Sequence, residues 1–114
     1  MPGARPVTSL VRGAAIALVA AAALAACMGD PVKCHDGCRN VATLIYWKAT
    51  EPEIAAVPPE QRAQLRKAKV DEFQKYLDQG LEMCTTQCQS ANNTEQIDCM
   101  LNAKTGEQAA VCSK

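Results

Sequence analysis

The sequence contains few aromatic residues, no excess of charge of either sign, and no long hydrophobic run. Its 114 residues include one Trp, two Tyr, one Phe and a single His, which argues against a large aromatic-lined pocket. Twelve Lys and Arg balance twelve Asp and Glu, so the basic excess of a nucleic-acid-binding protein is missing. The apolar stretch from Ala14 to Ala26 is thirteen residues long, shorter than the about 20 that a transmembrane helix needs.

Common catalytic motifs are also missing. His35 follows Cys34, but no second cysteine completes the Cys-x-x-Cys-His pattern of haem attachment. There is no glycine-rich phosphate loop. Beyond residue 26 the only serines are Ser90 and Ser113, and neither stands in a nucleophile elbow. We therefore expect no enzymatic activity and no cofactor.

The first 26 residues are typical of an export signal. Arg5 and Arg12 give a positive start, no acidic residue occurs before Asp30, and the apolar stretch 14–26 follows. This stretch has the length of the hydrophobic region of a signal peptide. The stretch ends in the tetrapeptide Leu24-Ala25-Ala26-Cys27, which resembles the lipobox of bacterial lipoproteins.

That resemblance implies that residues 1–26 are a signal peptide and that residues 27–114 form the mature protein. In that family the cysteine receives fatty acyl groups, so Cys27 would anchor the chain in a membrane. Met28, not the Asp that retains such proteins at the inner membrane, follows Cys27; this resembles outer-membrane lipoproteins that face the periplasm. The alternative is an ordinary secretory signal that is cleaved after residues 23–25, Ala-Leu-Ala.

Loss of residues 1–26 would leave 88 residues and an even number of free cysteines. With Cys27 lipidated, six cysteines remain, and they lie at positions 34, 38, 84, 88, 99 and 112. An even number in a small exported chain is typical of a disulfide framework. We expect these bonds to replace part of the hydrophobic core that so short a chain cannot build.

The mature part has the pattern of an all-α protein. Asp30-Pro31 predicts the start of a first helix, with Cys34, Cys38, Val41 and Ile45 on one face. We expect this helix to end near Thr50, because Glu51-Pro52 follows and Thr50-x-x-Glu53 has the form of a capping box.

A second, longer helix is predicted from about Pro59 to Asn92-Asn93. Its inner face carries Val70, Phe73, Leu77, Leu81, Cys84, Cys88 and Ala91, and Gly80 could allow a neighbouring helix to approach. Asn93-x-x-Gln96 and Thr105-x-x-Gln108 then predict two short helices.

The two Cys-x₃-Cys pairs suggest how the long helices are joined. A spacing of four puts both thiols of a pair on one helix face but too far apart to bond to each other. If the two helices are antiparallel, Cys34 meets Cys88 and Cys38 meets Cys84, which leaves Cys99 for Cys112. Six cysteines allow fifteen connectivities, of which this is the one that the geometry favours.

The twin Cys-x₃-Cys hairpin is similar to that of small chaperones of the mitochondrial intermembrane space and related coiled-helix-coiled-helix proteins. The match covers Cys34, Cys38, Cys84 and Cys88 and implies the stapled hairpin alone. The chain also resembles small cysteine-patterned envelope lipoproteins of Gram-negative bacteria. Those end in an element like Cys99…Ala103-Lys104-Thr105…Cys112.

We therefore predict a disulfide-stapled antiparallel helical hairpin followed by two short helices, tethered to a bacterial membrane through Cys27. The expected function is that of a non-enzymatic structural or interaction module with an unknown envelope protein partner. The first alternative is a redox or metal-handling protein that uses the Cys-x₃-Cys thiols, with His35 as an additional zinc ligand. A further alternative is an apolar ligand between the helices; Tyr46-Trp47 is interpreted as core packing or as a contact patch.

Overall fold

The computed structural model describes residues 28–113. These residues form four α-helices and no β-strand: α1 (Pro31–Ala56), α2 (Pro59–Ala91), α3 (Thr94–Asn102) and α4 (Gly106–Cys112). Helix α1 packs against each of the other three helices. The predicted fold class, an all-α stapled hairpin followed by two short helices, is confirmed. The predicted signal peptide and the lipidation site at Cys27 lie outside the described residues.

Four helix ends lie where the capping residues predicted them: the start of α1, the end of α2, and the starts of α3 and α4. The Asp30 carboxylate accepts hydrogen bonds from the backbone N–H groups of Val32 (2.9 Å) and Lys33 (3.2 Å), which caps α1. Helix α2 ends at Asn92, whose left-handed backbone (φ 44°) directs its N–H to the carbonyl of Cys88. Asn93 and Thr105 cap α3 and α4 through the N–H groups three residues later.

The prediction that α1 ends near Thr50 is wrong, because α1 continues through Pro52 to Ala56. A proline inside a helix costs about 3 kcal/mol, so other contacts must offset this cost. Ile54 is almost fully buried, at 2% exposure. The Arg62 guanidinium also donates to two carbonyls at the end of α1, those of Ala55 and Val57.

The main cluster of buried side chains lies at one end of the hairpin, while Ile54, Phe73 and Leu77 are buried farther along the two long helices. The buried side chains of the main cluster come from three disulfides and from the two short helices: Cys34, Cys38, Cys88, Ile97, Met100, Ala103, Ala109 and Cys112. Ile45 shares a face of α1 with Cys38 and Val41, as predicted, although it is 39% exposed. Two expectations about the inner face of α2 are wrong: Val70 is 48% exposed, and no atom lies within 4 Å of a Cβ built on Gly80, so no helix approaches it.

Candidate functional site

Three disulfides define the stapled end of the hairpin, which comprises the first turns of α1 and the last turns of α2. Cys34 bonds to Cys88 and Cys38 to Cys84, with Cα–Cα distances of 5.7 and 6.1 Å. Cys99 bonds to Cys112 and joins α3 to α4, with a Cα–Cα distance of 5.6 Å. These are the pairs that the antiparallel arrangement favours.

The chain reaches the stapled end through a short, fixed segment. The N–H of Gly29 donates to the carbonyl of Gln89 in the last turn of α2 (2.9 Å). Gly29 is buried, and a Cβ at this position would lie 3.4 Å from the Gln89 Cα. The chain is therefore attached to both long helices from its second described residue onward. No local sequence signal indicates this contact, because it joins residues 60 positions apart.

The short helices α3 and α4 are fastened to α1 by polar contacts that the sequence analysis missed. The Asn40 side-chain amide donates to the carbonyls of Met100 (2.8 Å) and Ala103 (3.0 Å), which caps the C-terminal end of α3. Lys48 pairs with Glu107 at 3.2 Å, at the start of α4. The only sequence signal for Asn40 is a polar residue beside the apolar face of α1, and that does not identify its partner.

An apolar groove of about 380 Å³ lies between α1 and α2, next to the stapled end. Its walls include the Cys38–Cys84 disulfide, the side chains of Ile45 and Tyr76, and Gly80, which has no side chain. No charged side chain lines it. Its size and lining are those of a site for an apolar ligand or an apolar side chain of a partner.

Aromatic side chains close the groove toward the hairpin loop. Tyr46 contacts Trp47 edge-to-face and Phe73 in a tilted arrangement, with ring centroids 5.2 and 4.8 Å apart. The Tyr46 hydroxyl donates to the carbonyl of Lys69 (2.8 Å), so it is already partnered. Tyr46 and Trp47 thus take part in the packing of α1 against α2, and the Arg66 guanidinium lies 5.9 Å from the Trp47 ring centroid.

Ion pairs join the two helices near the loop. The Arg66 guanidinium donates to both carboxylate oxygens of Glu51 (2.6 and 3.0 Å), and these hydrogen bonds lower the pKa of Glu51. Lys69 pairs with Glu53 at 3.0 Å, which raises the pKa of Lys69. Glu51, Arg66 and Glu53 are exposed and Lys69 is half-buried, so each pair contributes little to stability.

The described residues offer no ready ligands for the metal-handling alternative. Within residues 28–113, no group of three His, Cys, Asp or Glu side chains is arranged to hold a metal ion. His35 contacts only Asp36 among the charged groups, through Nδ1 at 3.3 Å. The four cysteines of the Cys-x₃-Cys pairs, on which that alternative relies, are oxidised to disulfides here, so their thiols would have to be regenerated first.

Comparison with known proteins gives no family for this chain. No protein-family model matches it, and neither does any curated protein or solved structure. Within residues 28–113, no helix is long and apolar enough to cross a bilayer. Function must therefore be inferred from the residues themselves: Cys27 at the end of the lipobox-like tetrapeptide, the segment that follows it, and the groove between the long helices.

Proposed function

We propose that this protein is a non-enzymatic lipoprotein of a bacterial cell envelope, a structural or interaction module anchored to the membrane through Cys27. We further propose that it is held at the outer membrane, facing the periplasm, where it binds an envelope protein partner. The disulfides suit an oxidising compartment.

The observation that carries this proposal is the position of Cys27. The lipobox-like tetrapeptide ends at this residue. Two residues later, the N–H of Gly29 donates a hydrogen bond to the carbonyl of Gln89 at the stapled end. A lipid on Cys27 would thus hold a rigid hairpin at the membrane without a flexible linker. Helix α2, with 33 residues, would then reach up to about 50 Å from its anchored end.

The anchor is tested by replacing Cys27. Cells expressing the wild-type chain or Cys27→Ser are labelled with a fatty-acid analogue. We expect label on the wild type only, and accumulation of an unprocessed or differently processed precursor in the variant, because the diacylglyceryl group of such lipoproteins is attached through the cysteine sulfur. Ser90→Ala is a matched control that should be labelled like the wild type. Label that persists in Cys27→Ser excludes this anchor.

The redox or metal-handling alternative is separated from the proposal by a thiol and metal count on purified, non-reduced protein. The structural role requires no free thiol and no bound metal. Two or more free thiols, or stoichiometric zinc, would favour the alternative.

A second candidate function is supported by the groove between α1 and α2. Its volume of about 380 Å³ and uncharged lining suit a small apolar ligand. Native mass spectrometry of the protein purified without detergent exchange tests this function. A ligand that co-purifies with the wild type, and less with Ala42→Phe, would support it, since Ala42 lines the groove. An empty protein in both cases would leave the interaction module as the sole candidate.

A further inference from the structure

We propose that the stapled end of the hairpin is itself a membrane-contact surface, in which Met28 and Val32 enter the interfacial layer of the bilayer while α1 and α2 extend away from it. This inference rests on the proposed lipid anchor and adds the orientation of the protein and the side chains that contact lipid.

Two apolar side chains are exposed where the chain reaches the hairpin. Met28 is 44% exposed and Val32 is 66% exposed, and Pro31 lies between them in sequence at the first position of α1. Exposed apolar groups at the site where a lipid tether begins suit an interface between water and acyl chains.

The charge that accompanies these side chains is partly compensated. The Asp30 carboxylate accepts hydrogen bonds from the N–H groups of Val32 and Lys33, and it therefore lies at the positive end of the α1 dipole. The neighbouring turn between α2 and α3 contains two uncharged residues, Asn92 and Asn93. Within residues 28–32 and 92–93, Asp30 is therefore the single charged side chain, and the N-terminal end of α1 compensates its charge.

The position of the proposed anchor indicates that this surface contacts lipid. Cys27 lies just outside the described residues and immediately before Met28. Only Met28 separates Cys27 from Gly29, and two residues of chain span at most about 7 Å. Because Gly29 is fixed to Gln89, acyl chains on Cys27 that are buried in the bilayer would bring the last turn of α2 to the headgroup layer.

Three exposed apolar side chains that lie farther along the long helices lack this connection. Ile45 and Tyr76 line the groove, and Val70 lies on α2 one residue after Lys69, whose carbonyl binds Tyr46. These positions are many residues along the helices from the tether, so an upright hairpin keeps them away from the bilayer.

The test uses tryptophan as a depth probe, because Trp47 is the only tryptophan of the chain. Trp47 lies 15 residues after Val32 on α1, which is about 22 Å along a helix. The processed, membrane-extracted protein is reconstituted in vesicles of phosphatidylethanolamine and phosphatidylglycerol with bromine near the top of one acyl chain. Emission is compared between Val32→Trp/Trp47→Phe and the wild type.

We expect the probe at position 32 to lose more than half of its emission in brominated vesicles and Trp47 to keep nearly all of it. Met28→Trp/Trp47→Phe is a second probe of the contact and should be quenched as strongly. Val70→Trp/Trp47→Phe is the matched control, an exposed apolar position far from the tether, and should not be quenched.

Flotation of the same vesicles separates the two hypotheses. If the protein floats with the vesicles but the probes at positions 28 and 32 keep their emission, the anchor stands and the membrane contact is wrong. Quenching of Trp47 as well would mean that the hairpin lies flat, which also overturns the proposal. If the protein does not float, the lipid anchor fails and the contact fails with it.

Discussion

Two glycines on the helices have opposite structural roles. A Cβ on Gly106 would lie 2.6 Å from the Cβ and Cδ of Lys48, whereas a Cβ on Gly80 would meet no atom within 4 Å. Gly106 therefore allows the start of α4 to pack against α1. Gly80 lowers the stability of α2 as a helix without allowing any close contact in return. The sequence shows both as glycines near helix segments and cannot distinguish them, because the neighbour of Gly106 lies 58 residues away.

The two alanine substitutions should thus change stability in opposite directions. Gly106→Ala should lower the free energy of unfolding by about 1–3 kcal/mol through overpacking against Lys48. Gly80→Ala should raise it by about 0.5–1 kcal/mol, because alanine is the better helix former. Urea unfolding of the two variants measures both effects; equal changes of the same sign would contradict the packing described for α4.

Capping residues were the most predictable single residues, since a cap bonds to an N–H three residues away and its signal is local. Asn93 and Thr105 cap α3 and α4 as predicted. Asn40 was not predicted, because its two acceptors, the carbonyls of Met100 and Ala103, lie at least 60 residues away. The Asn40 side-chain amide donates a hydrogen bond to each carbonyl, so its role as a cap of α3 depends on contacts between distant parts of the chain.

Glu51 should make stability depend on pH. Its pKa is lowered in the folded protein, chiefly by the Arg66 hydrogen bonds, so the pair stabilises the fold above the unfolded pKa. This contribution is lost as the pH falls through the lowered pKa, below about pH 5. Glu51→Gln should therefore show a smaller fall in melting temperature on acidification than the wild type. Glu82→Gln is the control, because no described ion pair involves Glu82, and a wild-type-like acid response in Glu51→Gln would disprove the role of the pair.

At the scale of the elements, the helix type and most ends followed from the sequence, but the C-terminal end of α1 did not. The rule that proline ends a helix predicted a break at Pro52, whereas α1 continues to Ala56. Burial of Ile54 and the contacts of Arg62 hold this last turn in place. Arg62 belongs to α2, so a contact between the two helices and the burial of Ile54 together override the local preference.

Pro52→Ala should consequently stabilise the protein. Alanine restores the N–H that can donate to the Lys48 carbonyl and removes the clash of the proline ring, which is worth about 1–3 kcal/mol. The melting temperature measured by circular dichroism should rise. Pro58→Ala is the matched control outside the helices and should give no comparable gain; a lower melting temperature for Pro52→Ala would mean that the last turn of α1 needs the proline.

At the scale of the whole molecule, the disulfides compensate for a small core whose main cluster lies at one end. The bonds close separations of 54, 46 and 13 residues. The antiparallel hairpin was predictable because two pairs with the same spacing allow one nested arrangement. The groove and the attachment of Gly29 were not predictable, since they depend on how closely α1 and α2 approach and where they diverge.

Loss of one bond should lower stability, and the effect should grow with the logarithm of the length of the loop that the bond closes. In the chain-entropy model, the Cys34–Cys88 bond alone contributes roughly 4 kcal/mol and the Cys99–Cys112 bond roughly 3 kcal/mol. The first effect should be reduced in the protein, because the Cys38–Cys84 bond already confines the same loop. Cys88→Ala, and the matched double variants Cys34→Ala/Cys88→Ala and Cys99→Ala/Cys112→Ala, should each melt many degrees below the wild type. An unchanged melting temperature in all three would show that the bonds do not hold the fold.

The most direct test of the stapled, membrane-tethered hairpin is mass-spectrometric mapping of the mature protein, alkylated and digested without reduction. Cleavage before Asp36 separates Cys34 from Cys38, and fragmentation between Cys84 and Cys88 resolves the partner of each. The account predicts the linked pairs Cys34–Cys88, Cys38–Cys84 and Cys99–Cys112, no alkylated cysteine, and an N-terminal peptide that begins at Cys27 with added acyl mass. Six alkylated cysteines, a different set of linked peptides, or an unmodified Cys27 would contradict it.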